Sequence, residues 1–464
     1  MKSISSAKRV LGYLILAVIA LILPPIIAFL PSANEPRIAL DLCFKLFSFL
    51  SSAIIISVML VKLKKNRDAP VEEKALIILS GLVAIFLVYT VSFTPFTGKF
   101  WDYICLEKSS QKIVQGISPY GKDCWVYPPL LAQMVGWVYK IILISPFRYR
   151  HIDHWELVFY FYQSVQFLLA LLSYFLSYFF ARNLGIRKAF AWILCSLLFI
   201  FNYPLLTNLA STQTNLWILN SFLLALLLIT ASPELAGFAI AFGAHIKLYP
   251  IILLAPITLL RKWRALLATI LSSILIFLFQ AKFGKALELW KGFFESLLSF
   301  PKCTNFTCDS LYGIIHSGFL FFYLITGKDI SFLKPLLNIL EKIAILGVLV
   351  WFGFRFVKRE KIYLKMKQIA EIDNQRERLR INAHLIDAIG LALLLSPLVL
   401  VHQYILAIPI LIYAFACLGM KNLWKVLVCF FLIFPLPTYE LFPFSYHRFL
   451  GIFILIYFIP TNVF

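Results

Sequence analysis

Apolar residues run in blocks along this chain, and the blocks are long. Stretches of 17–25 predominantly apolar residues, enough to cross about 30 Å of hydrocarbon as a helix, recur from one end to the other and are separated by short polar and basic segments. The first runs from Val10 to Leu30, the second over roughly 38–61 and the third over roughly 75–95. Further blocks lie at about 155–181, 188–206, 215–231, 264–280, 335–356, 384–401, 403–419, 423–438 and 447–463. Few carry the period-2 alternation of strands, so the pattern predicts an all-α polytopic membrane protein. The Val10–Leu30 run is too long for a cleavable signal and leads into another span.

Three places depart from simple crossing. Within 235–260 stand Lys247, Leu248, Tyr249 and Pro250; a proline cannot donate in a helix and a lysine is costly in lipid, so two half-helices that enter and return are expected, broken at Lys247. Ser310–Leu324 is too short to cross and is read as outside. Pro129–Ser145 is apolar, but counting it as a crossing would carry Arg182, Arg187 and Lys188 to the outer side.

Composition agrees with the pattern: 61% of 464 residues are hydrophobic and only 14% charged, too few charges to cover a soluble surface of this size. The net charge of +21 does not indicate nucleic acid. The cations fall in clusters between apolar blocks: Lys2, Lys8 and Arg9 before the first span, Lys62 to Lys74 after the second, and Arg355 to Arg380 later on. That distribution sets orientation, with the basic loops cytoplasmic. The last cluster reads as a solvated cytoplasmic loop or helix, about 357–383, with attraction to anionic lipid as the other reading. The organisation expected is an N-terminal transmembrane hairpin, 1–73, followed by a membrane domain, 74–464, with outer loops at about 96–154 and 281–334.

This orientation gathers the unusual polar residues on one face: Asp102, Tyr120, Tyr127, Gln213, Asn215, Asp309, Ser310, His402, Tyr404, His447 and Arg448, with Lys247 reaching into the membrane beneath them. Cys303 and Cys308 share one outer loop, and Cys105 and Cys124 the other, so each pair could form a disulfide outside the cytosol. Asn305 begins a glycosylation sequon. No CxxC pair with matching ligands marks a zinc site, His151, Asp153 and His154 are too slight a cluster, and no metal is expected. Nor is there a glycine-rich nucleotide motif.

Five short patterns in order carry a resemblance. They are Asp102-Tyr103 with Gln115 to Tyr120 and Tyr127-Pro128-Pro129; Gln213-Thr214-Asn215; Lys247-Leu248-Tyr249-Pro250 followed by Arg261-Lys262-Trp263-Arg264; Asp309-Ser310-Leu311-Tyr312-Gly313; and Leu395-Ser396-Pro397 with His402-Gln403-Tyr404. Together, over roughly 96–405, they resemble glycosyltransferase family 87, the polyprenol-phosphate-mannose-dependent mannosyltransferases of the GT-C superfamily. The sequence departs from the family's pattern at Cys308-Asp309, where amides are usual, and at His316 and Ser317, where an arginine is often found.

The resemblance implies a GT-C-type transmembrane helix bundle with a large first outer loop bearing short helices, and transfer of a hexose, with inversion, from a polyprenyl or dolichyl phosphate to a glycolipid or glycan hydroxyl. The partners implied are that lipid-linked donor, the acceptor and membrane lipids, with no nucleic acid and no cofactor, at the outer face of the cell membrane. An inverting displacement needs a base near the acceptor oxygen and positive charge for the departing phosphate. Asp102 is the first candidate base, or else an acid at a helix start; Asp123 and Asp309 are the alternatives. Lys247, His402 and Arg448 are candidates for the phosphate. Gln213, Asn215, Asp309, Ser310, Tyr404, Tyr120 and Tyr127 are candidates for sugar or acceptor, with interhelical contacts and the interfacial aromatic belt as the competing readings. A transporter or lipid flippase would share the spans, the buried lysine and the broken helix.

Overall fold

A computed structural model describes residues 99–121, 125–144, 153–281, 286–299, 309–326, 334–369, 373–396, 399–436 and 443–462. The N-terminal hairpin expected over 1–73, Asp123, Cys124, His151, Cys303, Asn305 and Cys308 lie outside these residues. The described chain is all-α, with sixteen α-helices joined by short 3-10 turns and no strand. It divides into two compact units.

The first unit holds α1 (Trp101–Val114), most of α2 (Pro129–Ile144), the first 19 residues of α3 (His154–Asn183) and the turn 209–213. Its core is aromatic. Tyr103, fully buried, meets Phe159 edge-on at 4.6 Å, and Tyr139 stacks on Trp155 at 4.2 Å. Asp153 starts α3 by accepting the amide of Trp155. Sixteen residues of helix rise about 24 Å, so α2 falls short of a crossing by itself.

The second unit holds residues 173–208 and everything from 214 onward, with 126–129. α3 ends at Gly185, whose positive φ of 88° lets the amide of Ile186 reach back to Ala181 and close the helix end. α4 (Lys188–Ile200) and α5 (Tyr203–Ala210) meet at a 53° bend. Asn202 accounts for it: its amide donates to Leu198 O and accepts from Leu205 N, capping one helix and starting the next. α6 (Asn215–Leu228) and α7 (Pro233–Ile246) pack closely because Gly243 has no side chain. A Cβ there would stand 2.3 Å from Ser221 Oγ and 2.9 Å from Pro250.

Beyond α7 the chain breaks where the sequence predicts. Lys247 is extended, Tyr249–Leu253 is a 3-10 turn, and α8 (Leu254–Leu259) is short. A turn through Arg261, at a φ of 56°, leads into α9 (Trp263–Ala281) and then α10 (Ala286–Ser299). α11 (Leu311–Thr326), the 36-residue α12 (Lys334–Ile369) and α13 (Asn374–Leu395) follow. A 3-10 segment (Val401–Ala407) continues into α14 (Ile408–Leu418), and α15 (Leu423–Ile433) and α16 (His447–Phe458) complete the described chain. Among the described residues, four stretches are long and apolar enough to cross a membrane: His154–Asn183, Trp263–Ala281, Pro335–Ile369 and Val401–Leu418. The bent α4–α5 pair is a fifth. The spans expected at Val10–Leu30, 38–61 and 75–95 lie outside the described residues; those at 215–231, 423–438 and 447–463 correspond to shorter apolar helices, and that at 384–401 to the second half of α13.

One expectation is corrected. The segment from Arg355 to Arg380 is not simply solvated. It forms the end of α12 and the start of α13, and Arg355 and Arg359 are buried, 5% and 0% exposed, against Asp387. The charges at i and i+4 on one helix face their partners on the next, so they are an interface and not a surface.

Candidate active site

The break after α7 exists because Pro250 cannot supply the amide hydrogen that the carbonyl of Ile246 would accept, and its ring crowds that carbonyl. Lys247, which is 8% exposed, caps α7: its amide still donates to Gly243 O at 2.8 Å, while its own backbone is extended. The ammonium donates to Asn215 Oδ1 at 2.9 Å. Asn215, at the start of α6, in turn donates to Asn208 Oδ1 at 3.1 Å. Two aromatic rings lie beside the ammonium: Tyr127 at 5.1 Å and Tyr249 at 4.9 Å from Nζ. A cation in such a setting is held by amide dipoles and ring faces.

The 3-10 segment Val401–Ala407 brings three consecutive side chains to this region. His402 lies within electrostatic range of Lys247. Gln403 accepts the hydroxyl of Tyr249 at 2.8 Å, and the same hydroxyl meets Ser396 Oγ at 2.9 Å. Tyr404, fully buried, donates to the carbonyl of Asp309. Lys247, Asn215, Tyr127 and His402 therefore lie together. Tyr249, Asn208, Ser396 and Gln403 were given no role from sequence. For Tyr249 the signal was present, since it sits two residues past the buried lysine at the same break.

A second group surrounds Asp309. Arg448, fully buried, approaches its carboxylate at 3.4 Å, donates to Leu436 O and lies 5.7 Å over the ring of Tyr203. Tyr446 donates to Gly313 O at 2.9 Å. Ser310 caps α11, its hydroxyl accepting the amide of Gly313 at 3.1 Å. In this arrangement Arg448, Ser310 and Tyr404 anchor the start of α11. Burial raises the Asp309 carboxyl from 3.8 to about 7, against the opposing pull of Arg448.

In the first unit, Asp102 is half-buried in the first turn of α1, between exposed Trp101 and buried Tyr103. Lys99, just before α1, pairs with Glu107 of the helix at 2.6 Å. Tyr120 is partly buried beside Trp125, with its amide on Ser118 Oγ at 3.4 Å. Gln213 is buried at 1% exposure in the turn where Thr212 adopts a φ of 51°. Cys105 is disulfide-bonded. Among the described residues no group of three or more His, Cys, Asp or Glu side chains could hold a metal ion.

An all-α bundle with several membrane-length helices, and a desolvated lysine at the break of one of its shorter elements, defines a polytopic membrane protein with an internal polar centre. The model of glycosyltransferase family 87 matches residues 125–397, and the chain belongs to that family. It is a membrane glycosyltransferase. The matched stretch includes Tyr127, Gln213, Asn215, Lys247, Asp309 and Ser310, while Asp102, Tyr120, His402, Tyr404 and Arg448 lie beyond its ends. No curated protein matches the chain.

Proposed function

We propose that this glycosyltransferase moves a hexose from a polyprenyl or dolichyl phosphate to a hydroxyl of a glycolipid or glycan, with inversion, at the outer face of the membrane. The observation that carries the reading is Lys247: a buried cation in an apolar bundle, steadied by Asn215 and two tyrosine rings. Intramembrane lysines at helix breaks serve anionic substrates. A phosphate delivered on a lipid tail meets this cation without leaving the membrane, and the tail removes the need for a nucleotide-binding fold. Mannose is the sugar suggested by the resemblance.

In the proposed reaction the acceptor oxygen attacks the anomeric carbon as the bond to phosphate oxygen breaks. Asp102 takes the acceptor's proton, and Lys247, with a hydrogen bond from His402, stabilises the negative charge on the leaving phosphate. Asn215 and Tyr127, beside Lys247, are proposed contacts for sugar or acceptor hydroxyls, as are Gln213 and Tyr120. Asp309, Ser310, Tyr404 and Arg448 hold the start of α11, which borders the acceptor. The disulfide at Cys105, in α1, supports exposure of that helix to an oxidising compartment.

The test is to incubate vesicles containing the protein with a radiolabelled polyprenyl-phosphate hexose and a glycolipid extract. A labelled glycolipid of inverted anomeric configuration is expected. Retained configuration, or hydrolysis with no transfer, would overturn the mechanism.

A further inference from the structure

α12 and α13 are joined by charged groups that sugar transfer does not use. Arg355 grips Asp387 side-on, Nε to Oδ2 at 3.1 Å and Nη2 to Oδ1 at 3.0 Å. Its remaining amine donates to Ile459 O at 3.2 Å. Asp387 also receives Nη1 of Arg359 at 3.1 Å, and that same nitrogen lies 3.3 Å from His384 Nδ1. His384 Nε2 meets Glu360 at 2.8 Å, and Arg380 holds Glu360 with two bonds of 2.8 Å. Glu360 and Arg380 balance each other. Deeper in, two guanidiniums share one carboxylate, and this leaves one positive charge in excess.

That charge sits on a fully buried residue. Arg359 is 0% exposed, and its Nε and Nη2 hydrogens have no acceptor. These two nitrogens form the side-on fork, the same pair with which Arg355 holds Asp387. A water molecule could accept one such hydrogen but would not neutralise the charge. Parallel N–H groups in this fork match two oxygens of an oxyanion. An uncompensated buried cation costs several kcal/mol, so a counter-charge there has a large effect. Around it, α12 exposes Lys358, Lys361, Lys365 and Lys367, a surface that concentrates anions. Cys417 and fully buried Tyr413 of α14 both lie within electrostatic range of Arg359, and Tyr413 donates to Leu379 O of α13 at 3.0 Å, so α14 packs beside the cluster.

We propose that Arg359 anchors a site for a phosphate oxyanion, supplied by an anionic phospholipid headgroup or by free phosphate, which enters between α12, α13 and α14 and neutralises the buried pair of arginines. The donors are covered in this structure, so occupancy requires side chains beside Cys417 to part. The site is independent of the reading given to Lys247.

The experiment uses the full chain, delipidated and reconstituted in phosphatidylcholine nanodiscs. Its thermal midpoint is followed as phosphatidylglycerol is introduced or as inorganic phosphate is added, with chloride at equal ionic strength as control. A saturable rise is expected. A response to the lipid alone identifies a headgroup site, whereas a response to inorganic phosphate alone identifies a free-anion site. Arg359→Lys keeps the charge but loses the fork, and is expected to weaken the response at least about tenfold. No rise beyond chloride, or an equal response in the variant, overturns the proposal. Should the variant not fold, native mass spectrometry of the unmodified chain decides. One phosphate-bearing molecule retained per chain supports the site, and none retained refutes it.

Discussion

Replacing Lys247 by methionine removes the ammonium while keeping most of the side chain's length and volume. The loss to the resting protein is a charge-assisted bond to Asn215, about 1.5–3 kcal/mol, and cation–π contacts with Tyr127 and Tyr249, up to about 2 kcal/mol each when desolvated. Against this stands the desolvation of a cation that is 8% exposed, also several kcal/mol, which the methionine no longer incurs. The two sides nearly cancel, so the thermal midpoint should change little. Transfer should not behave this way. Removing one preorganised group that stabilises developing charge slows reactions by about 10²–10³. Parallel thermal unfolding and initial-rate assays on Lys247→Met should therefore separate, with stability kept and transfer lost. Transfer within threefold of the parent would refute the role of Lys247. A large fall in midpoint that accompanies the lost activity would show that the lysine is a structural element instead.

Other outcomes follow from the same structure. Asp102→Asn should lower the transfer rate by about 10²–10⁴ with an unchanged midpoint; transfer at the parental rate would leave Asp102 as a first-turn acid only. Asp387→Asn strips the shared carboxylate from two buried arginines and should destabilise the protein by about 3–5 kcal/mol, read by thermal or denaturant unfolding. Asp309 titrates near 7 in the fold against 3.8 ordinarily, so its contribution to stability is complete below 3.8 and is lost as pH rises through about 7. The thermal midpoint should decline between about pH 4 and 7, and Asp309→Asn should flatten that decline.

The break at Lys247 was legible in sequence because two local facts coincide there: a proline without a donor and a lysine that lipid does not tolerate. Its partners were less so. Asn215 stands 32 residues away and Gln403 contacts Tyr249 across 154 residues, and such contacts are set by tertiary packing. Asn202 hid a bend inside what reads as one apolar span, since an asparagine can cap two helices at once. The basic cluster from Arg355 to Arg380 misled for a different reason. Charge alone suggests solvent, yet the spacing Arg355, Arg359 on one helix and Arg380, His384, Asp387 on the next places complementary charges along facing stripes. Periodicity, read for charge as well as for hydrophobicity, would have shown an interface. Ser310 drew its functional reading from its place in an ordered set of motifs and Arg448 from its charge and its face of the membrane; their bonds here are to a helix start and, for Arg448, to Asp309 and the carbonyl of Leu436.

The central claim is that the donor is a sugar on a lipid phosphate. The most direct measurement supplies the purified protein in vesicles with the same labelled hexose in two forms, polyprenyl-phosphate-linked and nucleotide-linked, together with the glycolipid acceptor. The account predicts transfer from the lipid-linked form alone, with one polyprenyl phosphate released per sugar transferred. Transfer from the nucleotide form in the absence of any lipid-linked intermediate would contradict it.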